Sequence, residues 1–143
     1  MKALLDTSVL VAAFYEGHEH HDASFDLLLR HKRNDACCAA HSLAEVYATL
    51  TAMPGTKRVS PVEAVLYLGS LRERLTCIAL EGDEYLMAAE LAAASGAASG
   101  GIYDALIGQC FLKCRAEWLY TWNLKHFHRL EAKISEKVRQ PIG

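Results

Sequence analysis

The first ten residues, MKALLDTSVL (1–10), contain the pattern that decides the fold. The apolar run at 3–5 predicts a short buried strand over 2–5, and the apolar residues between Ser8 and Tyr15 predict a helix directly after it. Asp6 lies at the junction of these two elements. A carboxylate at a buried junction costs on the order of several kcal/mol of desolvation unless it is compensated, so Asp6 needs a partner.

The rest of the chain repeats this alternation of strand and helix. Further strands are predicted at 36–40, 76–80 and 118–122, and an edge strand is expected at 134–138. Helices are predicted through 25–29 and at 42–53, 60–74, 83–95 and 103–114, with a short one near His126. The pattern predicts one α/β domain, 1–143, with a central, mostly parallel sheet of four or five strands and helices on both faces.

The composition is that of an ordinary globular domain. Hydrophobic residues make up 52% and charged residues 22%, and the formal net charge of −2 means that a polyanion would have to meet a local basic patch. The five cysteines include no C-x-x-C pair, which favours buried free thiols over disulfides or a zinc site. No apolar run approaches the roughly 20 residues of a membrane span, and Asp6 interrupts the N-terminal run, so we expect a cytoplasmic protein.

Four oxygen-bearing side chains are predicted to meet at one edge of the sheet. They are Asp6 after the first strand, Glu45 and Asp104 in the first turns of two helices, and Asn123 after the fourth strand. Ligands of open parallel sheets bind at the carboxyl ends of the strands. Carboxylates forced together repel each other, and a hard divalent cation, Mg²⁺ or Mn²⁺, would remove the conflict. The convergence favours metal-assisted hydrolysis of a phosphodiester.

Each of these residues also fits an ordinary structural role when it is taken alone. Asp6 is a typical helix N-cap, and Ser42 with Glu45 fits a capping box. Asp104 would complement the dipole of its helix, and Asn123 is typical of a turn. The functional interpretation therefore depends on all four residues occurring in the expected places.

With these residues in place, the sequence resembles a PIN-domain ribonuclease of the VapC toxin type. The resemblance extends over essentially the whole chain, and the order and spacing of its motifs are more specific than any single motif. The matching segments are LLDTS at 4–8, SLAEV at 42–46, YDALI at 103–107 and TWNLKHF at 121–127, and HEHHDA at 18–23 also resembles a stretch common in these toxins.

The resemblance implies a sheet-centred α/β fold and Mg²⁺- or Mn²⁺-dependent cleavage of RNA. Asp6, Glu45 and Asp104 would be the metal ligands, and Asn123 would complete the catalytic site. A homodimer is implied as well, together with inhibition by a cognate antitoxin whose arginine can stand in for the cation. His126 departs from the family pattern, which often has an Asp there. We therefore expect one metal, held by Asp6 and Asp104, with Glu45 acting directly or through water.

Two other functions stay open. A catalytically silent PIN-like module that binds RNA or an antitoxin would use the same pocket, and His126 in place of an Asp supports this alternative. A phosphatase with Asp6 as its nucleophile is less well supported, because Ser8 stands where the haloacid-dehalogenase type has a second Asp.

Features outside the acidic set have more than one interpretation. The segment at 18–22 is expected to be a solvated loop with a helix cap rather than a transition-metal site. Trp122 is expected to be a core residue rather than a base-stacking one, and the apolar helix at 62–71 to be buried on two sides, in the core or at an interface. Cations for RNA are expected at Lys57, Arg58, Lys125, His126, His128 and Arg129.

Overall fold

The computed structural model describes residues 1–142 and confirms the predicted α/β fold. The strands are β1 (Ala3–Leu5), β2 (Ala36–Ala39), β3 (Thr76–Ile78), β4 (Trp118–Tyr120) and β5 (Val138–Arg139). The helices are α1 (Thr7–Phe14), α2 (His21–Arg30), α3 (Ala40–Ala52), α4 (Pro61–Arg74), α5 (Gly82–Ala94), α6 (Gly101–Cys114), α7 (Leu124–His128) and α8 (Ala132–Ser135). A short 3₁₀ turn at Gly55–Lys57 separates α3 from α4.

The sheet is parallel throughout the described chain, and its strand order is β3-β2-β1-β4-β5. β1 is central: Ala3 is in register with Ala36 of β2, and Leu5 with Tyr120 of β4. The chain builds outward from β1 to β3 and then crosses back to place β4 on the other side of β1. Ligand sites of open parallel sheets lie at such switch points, outside the carboxyl ends of the strands.

The sheet is buried on both faces because successive strand residues point into different cores. Ala3 and Leu5 pack into a core formed with α1, α2, α3 and α4. Leu4 packs into a second core with Leu119 and Phe127, which α6, α7 and α8 complete. Burial on both faces explains why the strands are continuous apolar runs rather than alternating ones. The prediction of helices on both faces is confirmed.

The helix start predicted at Ser60 is also confirmed. The Ser60 hydroxyl accepts a hydrogen bond from the backbone N–H of Glu63 at 3.2 Å, and Pro61 is the first helical residue. Of the two alternatives for α4, burial in the core is wrong for its first half, whereas burial at an interface stays a prediction. Val62 and Leu66 are 72% and 68% exposed, so this end of α4 presents an apolar surface to solvent.

The start of α3 differs from the predicted residue 42, and the alternative interpretation of Ser42 and Glu45 as a capping box is wrong. α3 begins at Ala40, directly after β2, because the apolar run at 36–40 passes from strand to helix without a loop. Ser42 is therefore buried inside the helix, where its hydroxyl lies within hydrogen-bond distance of the Thr7 hydroxyl, at 2.9 Å. Glu45 lies beyond the first turn of α3 and is not a cap.

Four strands end at residues other than the predicted ones, and of these β2 ends at Ala39 rather than at residue 40 and β4 at Tyr120 rather than at residue 122. The third strand ends at Ile78 rather than at residue 80, and the segment expected as an edge strand at 134–138 begins inside a helix. Ile134 is fully buried in α8, next to the glycine at 108, where an added Cβ would lie 3.0 Å from Ile134 Cδ1. Because Ile134 is buried against α6 as part of a helix, the last strand begins further along the chain, at Val138, and ends at Arg139.

The five cysteines are free, as predicted. Two pairs of thiols lie close together: Cys37 Sγ on β2 is 3.5 Å from Cys114 Sγ at the end of α6, and Cys38 Sγ on β2 is 3.9 Å from Cys77 Sγ on β3. In residues 1–142, no helix combines the length and the apolar character that crossing a membrane requires.

Candidate active site

The four residues singled out from the sequence line one pocket of about 470 Å³ beyond the carboxyl ends of β1 and β4. Asp6 follows β1 directly, and Asn123 lies just past β4 and begins α7. Glu45 reaches the pocket from α3, and Asp104 from α6. The structure thus brings together side chains from four separate parts of the chain, while their chemical roles stay predictions.

Asp6 is the most buried member of the set, with 3% of its surface exposed. Its Oδ2 accepts hydrogen bonds from Thr121 Oγ1 at 2.7 Å and from Ser8 Oγ at 2.8 Å. Asp6 occupies the N-cap position of α1, but its closest side-chain partners are these two hydroxyls. Burial raises the pKa of Asp6, and the bonds from Thr121 and Ser8 oppose this rise.

The two hydroxyls also fix the segment after β4. Thr121 Oγ1 accepts the backbone N–H of Asn123 at 2.9 Å, and Ser8 Oγ accepts that of Trp122 at 3.0 Å. The carboxylate and the backbone that carries Asn123 are therefore connected through one buried network. Sequence reasoning missed Thr121 and Ser8 as site residues, although both lie within two residues of a predicted site residue.

Glu45 is half-buried and faces the other carboxylates of the pocket. Its Oε1 accepts a hydrogen bond from Thr7 Oγ1 at 3.2 Å, and His41 Nε2 lies 3.9 Å away. Burial raises the pKa of Glu45 to about 7, and the negative charges of Asp6 and Asp104 add to the rise. Glu45 is thus held in an electrostatic environment that disfavours its ionised form.

Asp104 lies beside the residue that departs from the family pattern. Its Oδ2 is 3.5 Å from Nδ1 of His126. Burial raises the pKa of Asp104 and the charge of Asp6 adds to this rise, whereas His126 opposes it. An imidazole therefore stands next to the third carboxylate of the pocket.

The donor set fits a hard divalent cation in its chemistry. The pKa of each of the three carboxyl groups is raised, first by burial, so the pocket disfavours three ionised carboxylates. Within residues 1–142, no three His, Cys, Asp or Glu side chains are close enough together to form a ready-made metal cage. Mg²⁺ does not need one, since it usually keeps several waters and binds through one or two carboxylates.

Residues 18–20 form an accessible loop as expected, and His18, Glu19 and His20 also line the same pocket as the acidic residues. The expected helix cap is wrong, because His20 at the N-cap of α2 makes no side-chain capping bond. His20 stacks on Trp122, with ring centroids 3.7 Å apart and planes 6° from parallel. Trp122 is half-buried and forms a wall of the pocket as well as contacting the core. The pairing of this segment with Trp122 joins residues about a hundred positions apart, which no local pattern reveals.

Replacing Thr121 by Val should lower the catalytic activity of the pocket by roughly 10- to 100-fold. Val keeps the shape of Thr121 but removes the hydroxyl that donates to Asp6 and accepts from Asn123, so both groups lose their positioning. The measurement is the rate of RNA cleavage, with the melting temperature recorded alongside. Thr51→Val is the matched control, because the Thr51 hydroxyl bonds only within α3, to Tyr47 and Ala48. Equal activities of the two variants would contradict the role given to Thr121.

An all-parallel α/β sheet with carboxylates gathered at its switch point is the architecture that the resemblance to PIN domains implies. The chain belongs to the PIN domain family, whose model matches residues 3–133. Ribonuclease VapC40 of Mycobacterium tuberculosis is 35% identical over 103 residues, which cover 72% of this chain and 73% of the relative. The family resemblance recognised from the motifs is therefore confirmed.

Solved structures show the same fold at low sequence identity. The structure of M. tuberculosis VapC20, described as a sarcin–ricin loop cleaving toxin, has a TM-score of 0.71 at 16% identity and covers 87% of this chain and 92% of its own. The structure of VapBC2 from Rickettsia felis, bound to a DNA fragment from its promoter, has a TM-score of 0.68 at 20% identity and covers 98% of both chains.

Proposed function

We propose that the chain is a divalent-metal-dependent endoribonuclease and the toxin component of a toxin–antitoxin system. The observation that carries this proposal is the convergence of Asp6, Glu45 and Asp104 in one pocket. The family membership and the ribonuclease name of the relative from M. tuberculosis supply the substrate class.

Asp6 and Asp104 are the residues we assign to hold Mg²⁺ or Mn²⁺, with Glu45 acting directly or through water. Asn123 contributes a neutral oxygen or amide at the rim of the pocket, where it is exposed. When bound, such a cation lowers the pKa of a coordinated water and neutralises charge that builds up on the phosphodiester. Thr121 and Ser8 hold the Asp6 carboxylate in one orientation, so that this side chain does not have to be ordered during the reaction.

Removal of divalent cations should abolish RNA cleavage. The purified protein, freed of any bound partner, is incubated with total cellular RNA and Mg²⁺ or Mn²⁺, and parallel samples contain EDTA. Discrete fragments that disappear with EDTA and return when the metal is restored are the expected result. Cleavage that persists in EDTA, and that a mock purification lacking the protein does not produce, would contradict metal dependence.

A catalytically silent RNA-binding module is the second candidate, and one contact favours it. His126 lies 3.5 Å from Asp104 in the place where family members often have a carboxylate, so the pocket has one acidic group fewer than the usual pattern. RNA binding and metal binding without turnover of any RNA in the sample would support this alternative.

We also propose a homodimer and an antitoxin as partners in the cytoplasm. Val62, Val65 and Leu66 form an exposed apolar surface on α4, with 72%, 58% and 68% of their surfaces accessible. An exposed apolar cluster on a structured helix is typical of a protein–protein interface. The three carboxylates would attract an arginine of an antitoxin, whose guanidinium can replace the cation.

A further inference from the structure

A second cavity adjoins the acidic pocket and contains a lysine but no carboxylate among its lining residues. Its volume is about 490 Å³, and it shares Trp122 and Asn123 with the acidic pocket. Lys125, His126 and His128 are exposed lining residues, and Leu124 and Gln140 complete the lining. A chain of phosphates that leaves the acidic pocket past Trp122 would therefore meet the Lys125 ammonium and two imidazoles that can donate hydrogen bonds.

The boundary between the two cavities is an ordered aromatic pair. Trp122 is anchored by its indole N–H, which donates to the Ser24 hydroxyl at 2.8 Å, and Ser24 is fully buried. His20 stacks on the indole at 3.7 Å and still has 36% of its side chain exposed. The imidazole that the indole supports is therefore still accessible in part from the acidic pocket, which it lines.

The loop that carries His20 is held in place by a second contact. The backbone N–H of His20 donates to Nδ1 of His18 at 3.0 Å, and the two imidazoles lie 5.6 Å apart at an angle of 44°. The neutral form of His18 that accepts this bond carries its proton on Nε2, so the ring presents an N–H donor. Since His18 also lines the acidic pocket, the aromatic pair has a polar group beside it that can bond to a base edge.

We propose that the His20–Trp122 pair is a stacking platform for one nucleobase next to the scissile phosphate, and that the cavity lined by Lys125 and His128 binds the neighbouring phosphate. This inference rests on the proposed function and adds to it the path of the RNA strand. Bases stack on aromatic side chains, whereas phosphates are held by cations. The stacked rings and Lys125 lie in and beside the acidic pocket, because the two cavities share Trp122 and Asn123. The carboxylates of the acidic pocket would by themselves repel the RNA backbone.

Binding can be tested without cleavage. The chain has two tryptophans, so Trp118→Phe leaves Trp122 as the only indole, and Asp6→Asn in the same protein prevents turnover. Single-stranded RNA should quench the fluorescence of Trp122, and the same backbone without bases should not. Equal quenching by the two ligands, or none with either, would overturn the proposal.

The role of His20 is tested in the same double variant. His20→Ala should weaken RNA binding by roughly 10-fold, and His20→Phe should keep it within about 3-fold, because Phe retains the stacked ring. His31→Ala is the matched control, since His31 lies at the end of α2 outside both cavities. Lys125→Ala should lower the dependence of log affinity on log salt by about 1. Equal losses for His20→Ala and His20→Phe would overturn the stacking role.

Cleavage by the protein with its native Asp6 supplies the last test. A single abasic nucleotide placed at each position around the mapped cut should slow wild-type cleavage roughly 10-fold at one position. The His20→Ala variant should cleave the intact RNA slowly, and an abasic nucleotide at that position should not slow its cleavage further. An additional loss equal to that of wild type would overturn the platform. Base-dependent quenching in a protein that cleaves no RNA would instead keep the platform and overturn the nuclease.

Discussion

Replacing Asp6 by Asn is expected to change activity and stability in opposite directions. RNA cleavage should fall by at least roughly 100- to 1,000-fold, because the pocket loses its central carboxylate. The melting temperature of the metal-free protein should rise by roughly 3–6 °C, since Asn keeps the shape and an acceptor oxygen without the buried charge. With a saturating divalent cation the wild type should melt at the higher temperature, because the cation stabilises only the protein that has the Asp6 carboxylate.

The sign of the stability change follows from the pKa of Asp6. Burial raises this pKa above its value in the unfolded chain. The loss of stability caused by the charged Asp6 is therefore absent at low pH and grows as pH rises from the unfolded pKa to the folded pKa. Melting curves in EDTA at several pH values should therefore converge for Asp6→Asn and wild type in acid. Asp26→Asn, on the exposed side of α2, is the control and should melt like the wild type. A metal-free Asp6→Asn protein that melts below the wild type at neutral pH would show that Asp6 is compensated without a cation.

Replacing Phe127 by Ala should lower the free energy of unfolding by about 3–5 kcal/mol. Phe127 is fully buried in α7 and packs with Leu4, Leu119 and Ile134 in the second core. The truncation leaves a cavity that the surrounding strand and helix cannot fill. Since α7 begins right after Asn123, we expect the loss of packing to reduce activity as well.

Urea unfolding measures this effect directly. The midpoint should move to lower urea, while the slope of the free energy against urea stays the same if unfolding remains two-state. His128→Ala is the matched control, because His128 is one residue further along α7 and exposed. A loss below about 1 kcal/mol for Phe127→Ala would mean that the second core is not close-packed around this ring.

Much of the fold could be predicted because a few residues carry strong local signals. The apolar run ending at Leu5 and the stop at Asp6 define β1 and the start of α1, and Ser60 with Glu63 defines the start of α4. The acidic residues of the pocket could be chosen for the same reason, because each one follows a strand or lies near the start of a helix.

The parts that could not be predicted depend on contacts between distant residues. The hydrogen bond from Thr121 to Asp6 spans 115 positions, and the bond from the Trp122 indole to Ser24 spans 98. The capping box at Ser42 was a false signal, because the motif fits a helix start but the chain is already helical from Ala40. Local patterns fix where an element begins only when a loop separates it from its neighbour.

Two separate costs oppose the ionised form of Asp6, and hydrogen bonds offset only the first, which is the desolvation of the carboxylate. Thr121 and Ser8 supply two hydrogen bonds to the same carboxylate oxygen, which lowers the cost of burial but leaves the pKa raised. The negative charges of Glu45 and Asp104 are a second cost, which hydroxyl groups cannot remove. A divalent cation shared by these carboxylates would compensate both.

The central claim is that the acidic pocket hydrolyses RNA with a divalent cation and water. The most direct test is cleavage of RNA with Mg²⁺ in water labelled with heavy oxygen, followed by analysis of the new fragment ends. Our account predicts linear phosphate ends that carry the label, formed by the wild type and not by an identically purified Asp6→Asn protein. Ends with a 2′,3′-cyclic phosphate, formed equally with EDTA and by Asp6→Asn, would contradict it.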